Sequence, residues 1–166
     1  MKTLYLLRHA KSSWDDPRLA DFERPLNERG LRAAPLVGRF MRERKLRPDL
    51  ILCSPAERAR RTAALVSEAA GLSAPLRYDE RIYEATAATL SEVVAQAEDS
   101  ADELLLVGHN PGLEDLLQLL TGETRRMSTA ALARVQLDLD RWAELRGGAG
   151  RLEWHVKPKE LVDSSQ

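Results

Sequence analysis

Three short runs constrain this chain more than anything else in it. Leu4-Tyr5-Leu6-Leu7, Leu50-Ile51-Leu52-Cys53 and Leu104-Leu105-Leu106-Val107 are each continuously apolar, and each runs straight into a polar turn. A strand with one wet face alternates polar and apolar side chains, whereas a strand covered on both faces does not need to. Runs of this kind, separated by helical patterns, predict a mostly parallel sheet with helices on it, an α/β chain. Residues 133–139 do alternate, which predicts a half-exposed strand. Residues 151–156 follow across the turn Gly147-Gly148-Ala149-Gly150, so the two are expected to pair as an edge hairpin.

The helices are marked by their ends. Asn27 is placed to cap a helix running to about residue 44, with Leu31, Ala34, Leu36, Val37, Phe40 and Met41 on one stripe. Pro35 inside it predicts a kink or a restart. Ser54-Pro55 reads as the N-cap and first residue of a second helix, stopped at Gly71. Residues 90–97 and 113–120 carry two more. Residues 11–25 form a loop longer than the ~2–6 residues usual between a strand and a helix. Long loops at a strand's carboxyl end tend to carry function. Trp14 in this loop is expected to cover the edge of the core.

Composition sets outer bounds. A length of 166 residues predicts one domain, over 1–157, followed by a polar and frayed tail over 158–166. A net charge of -1 gives no bulk attraction to nucleic acid or to a membrane, so anions must be met by a local cluster of Arg. Cys53 is the only cysteine, which excludes an internal disulfide; within its apolar run it reads as a buried structural thiol. The apolar run after Lys2 is shorter than the ~7–15 residues of a signal segment, and none reaches the ~20 of a membrane helix. The expectation is a soluble, cytoplasmic protein.

Ligands in open α/β sheets bind outside the carboxyl ends of the strands. Three such ends carry unusual groups: Arg8-His9, Ser54 followed by Arg58, and Gly108-His109-Asn110. Arg58, Arg60 and Arg61 fall in the first turns of a helix, where the dipole disfavours cations, and a broken local rule at a strand-to-helix junction points to function. Two arginines and two histidines in one pocket suit phosphoryl transfer. Guanidinia hold the equatorial oxygens, one imidazole attacks phosphorus, and the other donates a hydrogen bond. No carboxylate cluster or His-x-x-x-His spacing suggests a metal, and no cofactor is expected.

Leu7-Arg8-His9-Ala10-Lys11-Ser12 resembles the Arg-His-Gly/Ala signature of the histidine phosphatase superfamily, the phosphoglycerate mutase-like enzymes. Ser54-Pro55-Ala56-Glu57-Arg58-Ala59 with Thr62 is similar to its second motif, and Gly108-His109-Asn110 to the motif of its second histidine. Arg24-Pro25-Leu26-Asn27-Glu28-Arg29-Gly30 together with Ala10-Lys11-Ser12-Ser13-Trp14 resembles the short SixA-type phosphohistidine phosphatases. The resemblance implies a three-layer α/β/α sandwich, with a mostly parallel central sheet and an edge hairpin. It implies His9 as the nucleophile that becomes phosphorylated, with Arg8, Arg58 and His109 on the phosphoryl oxygens and Ser12 as a further phosphate contact. Glu84 matches the place of a proton-donating acid, and Asn110 is expected to position a loop by an Asx-type bond. The implied substrate is phosphohistidine on a protein. The alternatives are a small phosphorylated metabolite and, in another class, a phosphate- or phosphoprotein-binding module without turnover.

Overall fold

In the computed structural model, which describes residues 1–161, the three apolar runs lie side by side. β1 (Lys2–Arg8), β2 (Leu50–Cys53), β3 (Leu76–Tyr78), β4 (Glu103–Gly108), β5 (Leu132–Leu137) and β6 (Gly150–Val156) form one sheet in the order β3-β2-β4-β1-β5-β6. Contacts from β3 through β1 are parallel, and β5 runs antiparallel to both its neighbours. In register, Leu4, Leu104 and Leu50 stand abreast, as do Leu6, Leu106 and Leu52. The period of two sends those leucines to one face and Tyr5, Leu7, Leu105, Val107, Ile51 and Cys53 to the other. Neither face is wet: α1 (Glu28–Glu43) and α2 (Glu57–Ala70) cover one, α3 (Ala87–Ala95) and α4 (Gly112–Thr121) the other. Burying each such leucine contributes about 1.5–3 kcal/mol, which is why these runs stay apolar throughout.

α1 starts at the expected cap, where the Asn27 side chain accepts from the Gly30 N–H at 2.9 Å. A Cβ on Gly30 would collide with the Lys11 carbonyl, so glycine there lets the helix back onto the chain leaving β1. No restart occurs at Pro35; the helix passes through it unbroken. The carbonyl that loses its partner lies in the turn of Leu31 and Arg32, both exposed, where water can serve it. Leu31 is accordingly off the buried stripe. α1 meets α2 closely at Gly38, where a Cβ would approach Ala69 Cβ and the Val66 carbonyl to 2.6 Å.

The edge pair forms, but not as a tight hairpin. β5 and β6 pair with a bulge at Arg134/Val135, and the chain between them carries a short helical turn, Trp142–Glu144, whose Trp142 is fully buried. β5 alternates as expected: Ala133, Val135 and Leu137 are buried on one face, and Arg134 and Gln136 between them are only half-buried. Cys53 is buried as expected, and burial pushes its thiol up to about 12. Trp14 does not cover the core: it is 72 % exposed, with the Arg24 guanidinium 3.2 Å from its ring centre. The tail expected to be frayed over 158–166 is ordered at its start, where Pro158–Leu161 forms a helical turn, α5, with Leu161 packed into the face under α1. The rest of that tail lies outside the described residues. Among the described residues no helix is long and apolar enough to cross a membrane.

Candidate active site

The parallel pairing of β1 with β4 builds the centre of the site. Arg8 pairs with Gly108, and the ladder runs one step further as the His9 N–H donates to the Gly108 carbonyl at 3.0 Å. His9 and His109 are therefore the next residues abreast on strands spaced about 4.8 Å apart. Their ring centres are 5.1 Å apart. Both rings are buried.

Each imidazole is held by one nitrogen. His9 Nδ1 lies 2.7 Å from the Ala10 carbonyl, which can only accept, so Nδ1 carries the proton and Nε2 keeps its lone pair. Among the described residues Nε2 has no partner. The Ala10 loop is pinned by Thr62, whose Oγ1 accepts the Ala10 N–H at 2.9 Å and donates to the Arg58 carbonyl at 2.7 Å. His109 Nε2 lies 2.7 Å from Ser54 Oγ, and that oxygen also accepts the Ala56 N–H at 3.2 Å. The Ser54 hydroxyl has no other acceptor among the described residues, so its proton points to Nε2 and the His109 proton sits on Nδ1. That Nδ1 is buried and without a partner among the described residues. Ser54 is thus not the helix N-cap; Ala56 takes that place without a side-chain bond, because the serine serves the histidine.

Two arginines bear on the pair. Arg8 donates from Nη1 to the Met127 carbonyl at 3.1 Å, and its buried Nε has no partner among the described residues. Burial lowers its pKa, against the pull of Glu114. Arg58 is buried at the start of α2, but its fork is engaged: Nη1 donates to the Asp21 carbonyl at 2.6 Å and Nη2 to Asp21 Oδ2 at 2.9 Å. Three of its five N–H groups remain. Arg60 and Arg61, expected beside it from the same helix turn, are exposed. Burial above all, with the positive charge of Arg8 and Arg58, depresses His9 to about 3 and His109 to about 4. Both rings are neutral at physiological pH.

The long loop contributes a residue that sequence reasoning passed over. Asp21, in the helical turn Asp21–Glu23, also accepts from Arg24 Nη2 at 2.9 Å and from the Tyr83 hydroxyl at 2.6 Å. Burial opposes its ionisation, yet these donors together hold its carboxyl well below the usual range. Tyr83 in turn lies edge-on to His109, with ring centres 5.5 Å apart. Nothing in sequence separates Asp21 from Asp15 or Asp16, because its partner Arg58 is 37 residues away.

The other expected residues divide. Ser12 is buried, on the stretch that bridges to Leu26. Glu84 is exposed with a left-handed φ of 53°, and its carboxylate acts on the phenol of Tyr83, the ring that lies edge-on to His109. Asn110 does position a loop, though not by an Asx turn; its Nδ2 donates to Glu114 Oε2 at 2.9 Å and to the Met127 carbonyl at 2.8 Å. Among the described residues no group of His, Cys, Asp and Glu is clustered to hold a metal ion.

Comparison with known proteins agrees with this geometry. Residues 4–105 match the model of the histidine phosphatase superfamily (branch 1). The uncharacterized protein Rv1276c of Mycobacterium tuberculosis is 35% identical over 157 residues, covering 88% of this chain and 96% of its own. The phosphohistidine phosphatase SixA of Escherichia coli is 25% identical over 162 residues, 95% of each chain. A crystal structure assigned to SixA of Agrobacterium tumefaciens superposes with a TM-score of 0.80 at 33% identity, over 95% of this chain and 98% of that one.

Proposed function

The chain belongs to the histidine phosphatase superfamily and is a phosphatase, and we propose that its substrate is phosphohistidine on a protein, dephosphorylated through a phosphoryl group carried on His9. The observation that carries this reading is the fixed tautomer of His9: Nδ1 is spent on the Ala10 carbonyl, so a neutral Nε2 is left as nucleophile. In the first step the Nε2 lone pair attacks phosphorus, the bond from phosphorus to the substrate imidazole breaks, and that imidazole takes up a proton from solvent water. In the second step water attacks phosphorus, the bond to Nε2 breaks, and phosphate leaves. Arg8 Nε and His109 Nδ1–H, both buried donors without partners among the described residues, suit the equatorial oxygens; the remaining donors of Arg58 add to them.

The placing of Glu84 supports phosphohistidine over an alcohol ester. An alkoxide needs a proton as it leaves, a service worth about 10²–10⁴-fold, whereas imidazole leaves with less help. An exposed acid suits the less demanding reaction. The presence of Glu84 beside Tyr83 favours a second reading, a monoesterase of small metabolites, in which that carboxyl swings in as the acid.

The test has two arms. Mixing enzyme with phosphohistidine peptide and quenching in alkali traps an acid-labile, alkali-stable phosphate on the wild type and none on His9→Ala. Wild-type turnover by His9→Ala refutes His9 as nucleophile, and a chain that binds phosphopeptide without releasing phosphate is a binding module. Glu84→Gln spares phosphohistidine and slows phosphate monoesters; equal loss on both refutes the substrate assignment.

A further inference from the structure

A second, basic hollow lies where the chain leaves β1, and none of the residues used in the chemistry above lines it. It is lined by Lys11 from the chain leaving β1, Arg29 from the first turn of α1, and Lys157 and Lys159 beyond β6, with Ser128 and Thr129 on the facing wall. Its volume is about 240 Å³. No carboxylate lines it, and none of the four cations makes an ion pair among the described residues. The acids adjacent in sequence are engaged elsewhere: Glu160 Oε1 accepts the Lys157 backbone N–H at 3.0 Å, and Glu28 lies 3.9 Å from Arg32.

The chain as a whole is balanced, with 25 basic and 26 acidic residues. Several exposed arginines elsewhere sit on a neighbouring acid, Arg18 on Asp16, Arg81 on Asp79 and Arg125 on Glu123, whereas this hollow gathers four cations with no carboxylate in its lining. Four cations without an ion pair among the described residues repel each other around one hollow, a local cost that an anionic occupant would offset.

The hollow is within one side chain's reach of the site. Lys11 follows His9 by two residues, so their backbones are at most about 7 Å apart. Thr129 precedes Ala130, whose N–H donates to the carbonyls of Arg8 and His9, both at 3.0 Å. The volume suits a carboxylate side chain with its waters better than a nucleoside. Three of the four cations are lysines, which are hydrated point charges suited to transient docking rather than to bidentate capture.

We propose that this hollow is a docking subsite for an acidic side chain of the phosphoprotein, one placed within a few residues of the phosphohistidine in the catalytic site. The proposal rests on the substrate reading given above and sharpens it: the phosphohistidine is flanked by Asp or Glu. Docking of this kind acts on encounter and KM more than on the chemical step, and it weakens with salt.

Two phosphohistidine peptides, identical except that flanking Glu residues in one are Gln in the other, test it. Wild type shows a kcat/KM about 10-fold higher for the acidic peptide, carried by KM, since two or three exposed ion pairs at the usual strength amount to that. The preference fades with added salt and is lost in Lys157→Gln/Lys159→Gln. Equal kcat/KM for the two peptides in the wild type, or a preference that survives the double substitution, overturns the subsite. If neither peptide is hydrolysed, the substrate reading has failed instead, and the subsite is judged separately. The unphosphorylated acidic peptide then inhibits hydrolysis of p-nitrophenyl phosphate by the wild type, and less well by the double variant. No inhibition, or inhibition only by a small bisphosphorylated compound, refutes a protein carboxylate as the occupant.

Discussion

Replacing Ser54 by Ala is the most direct test of how the second histidine is armed. Ser54 is fully buried, and its hydroxyl both accepts from the Ala56 N–H and points its proton at His109 Nε2, 2.7 Å away. Removing it leaves two buried polar atoms without partners, at a cost to stability of about 1–3 kcal/mol. It also frees the tautomer. With no donor at Nε2, the proton of His109 is no longer confined to Nδ1, and the ring loses its anchor. Partners that orient a working histidine are typically worth about 10–100-fold, or roughly 1.4–2.7 kcal/mol of barrier. The expected result is a drop in kcat of that order with KM little changed. The ¹⁵N shifts of His109 should report a mixed tautomer in the folded variant. On a His109→Ala background the same substitution should cost almost nothing further, because there is no ring left to orient. An unchanged kcat, or a full additional loss on that background, would refute the relay from Ser54 to His109.

Three further outcomes follow from the same contacts and buried charges. Asp21→Asn strips the charge that two buried guanidinia share, so the melting point falls by about 4–8 °C, for roughly 2 kcal/mol lost. At the same time inorganic phosphate or vanadate binds several-fold more tightly, since Arg58 is released; calorimetry showing unchanged anion affinity contradicts Asp21 as a competitor for that fork. The histidine pair makes stability depend on pH, because His9 and His109 titrate near 3 and 4 when folded but near the usual 6.5 when unfolded. Between those values the unfolded chain binds more protons, so their contribution is fully present above about pH 6.5 and is lost as pH falls through the folded values. Urea midpoints should fall from pH 7 to pH 5, and fall less in His9→Gln/His109→Gln. Gly38→Ala drives a methyl into Ala69 and the Val66 carbonyl, and should lower stability by about 1–3 kcal/mol with the urea m-value unchanged.

By itself the sequence determined the sheet. Runs such as Leu104 to Val107 are apolar at every position because both faces are covered, a demand that is local and repeats along the strand. It also located the polar strand ends, since a charged turn after such a run stands out against it: Arg8, His9, Arg58 and His109 were all legible. What it left dark were residues whose meaning depends on a distant partner. Ser54 before Pro55 looks like any helix cap until the chain brings His109 to it. Asp21 is one acid among several in a loop until Arg58 is seen on its carboxylate, and the contact of Glu84 with the Tyr83 phenol is not visible in its motif position. The basic hollow draws its cations from three separate segments, so no window of sequence contains it. Only the tertiary structure decided these, because hydrogen bonds and charge pairs act over a few ångströms while the residues that make them lie tens of positions apart along the chain.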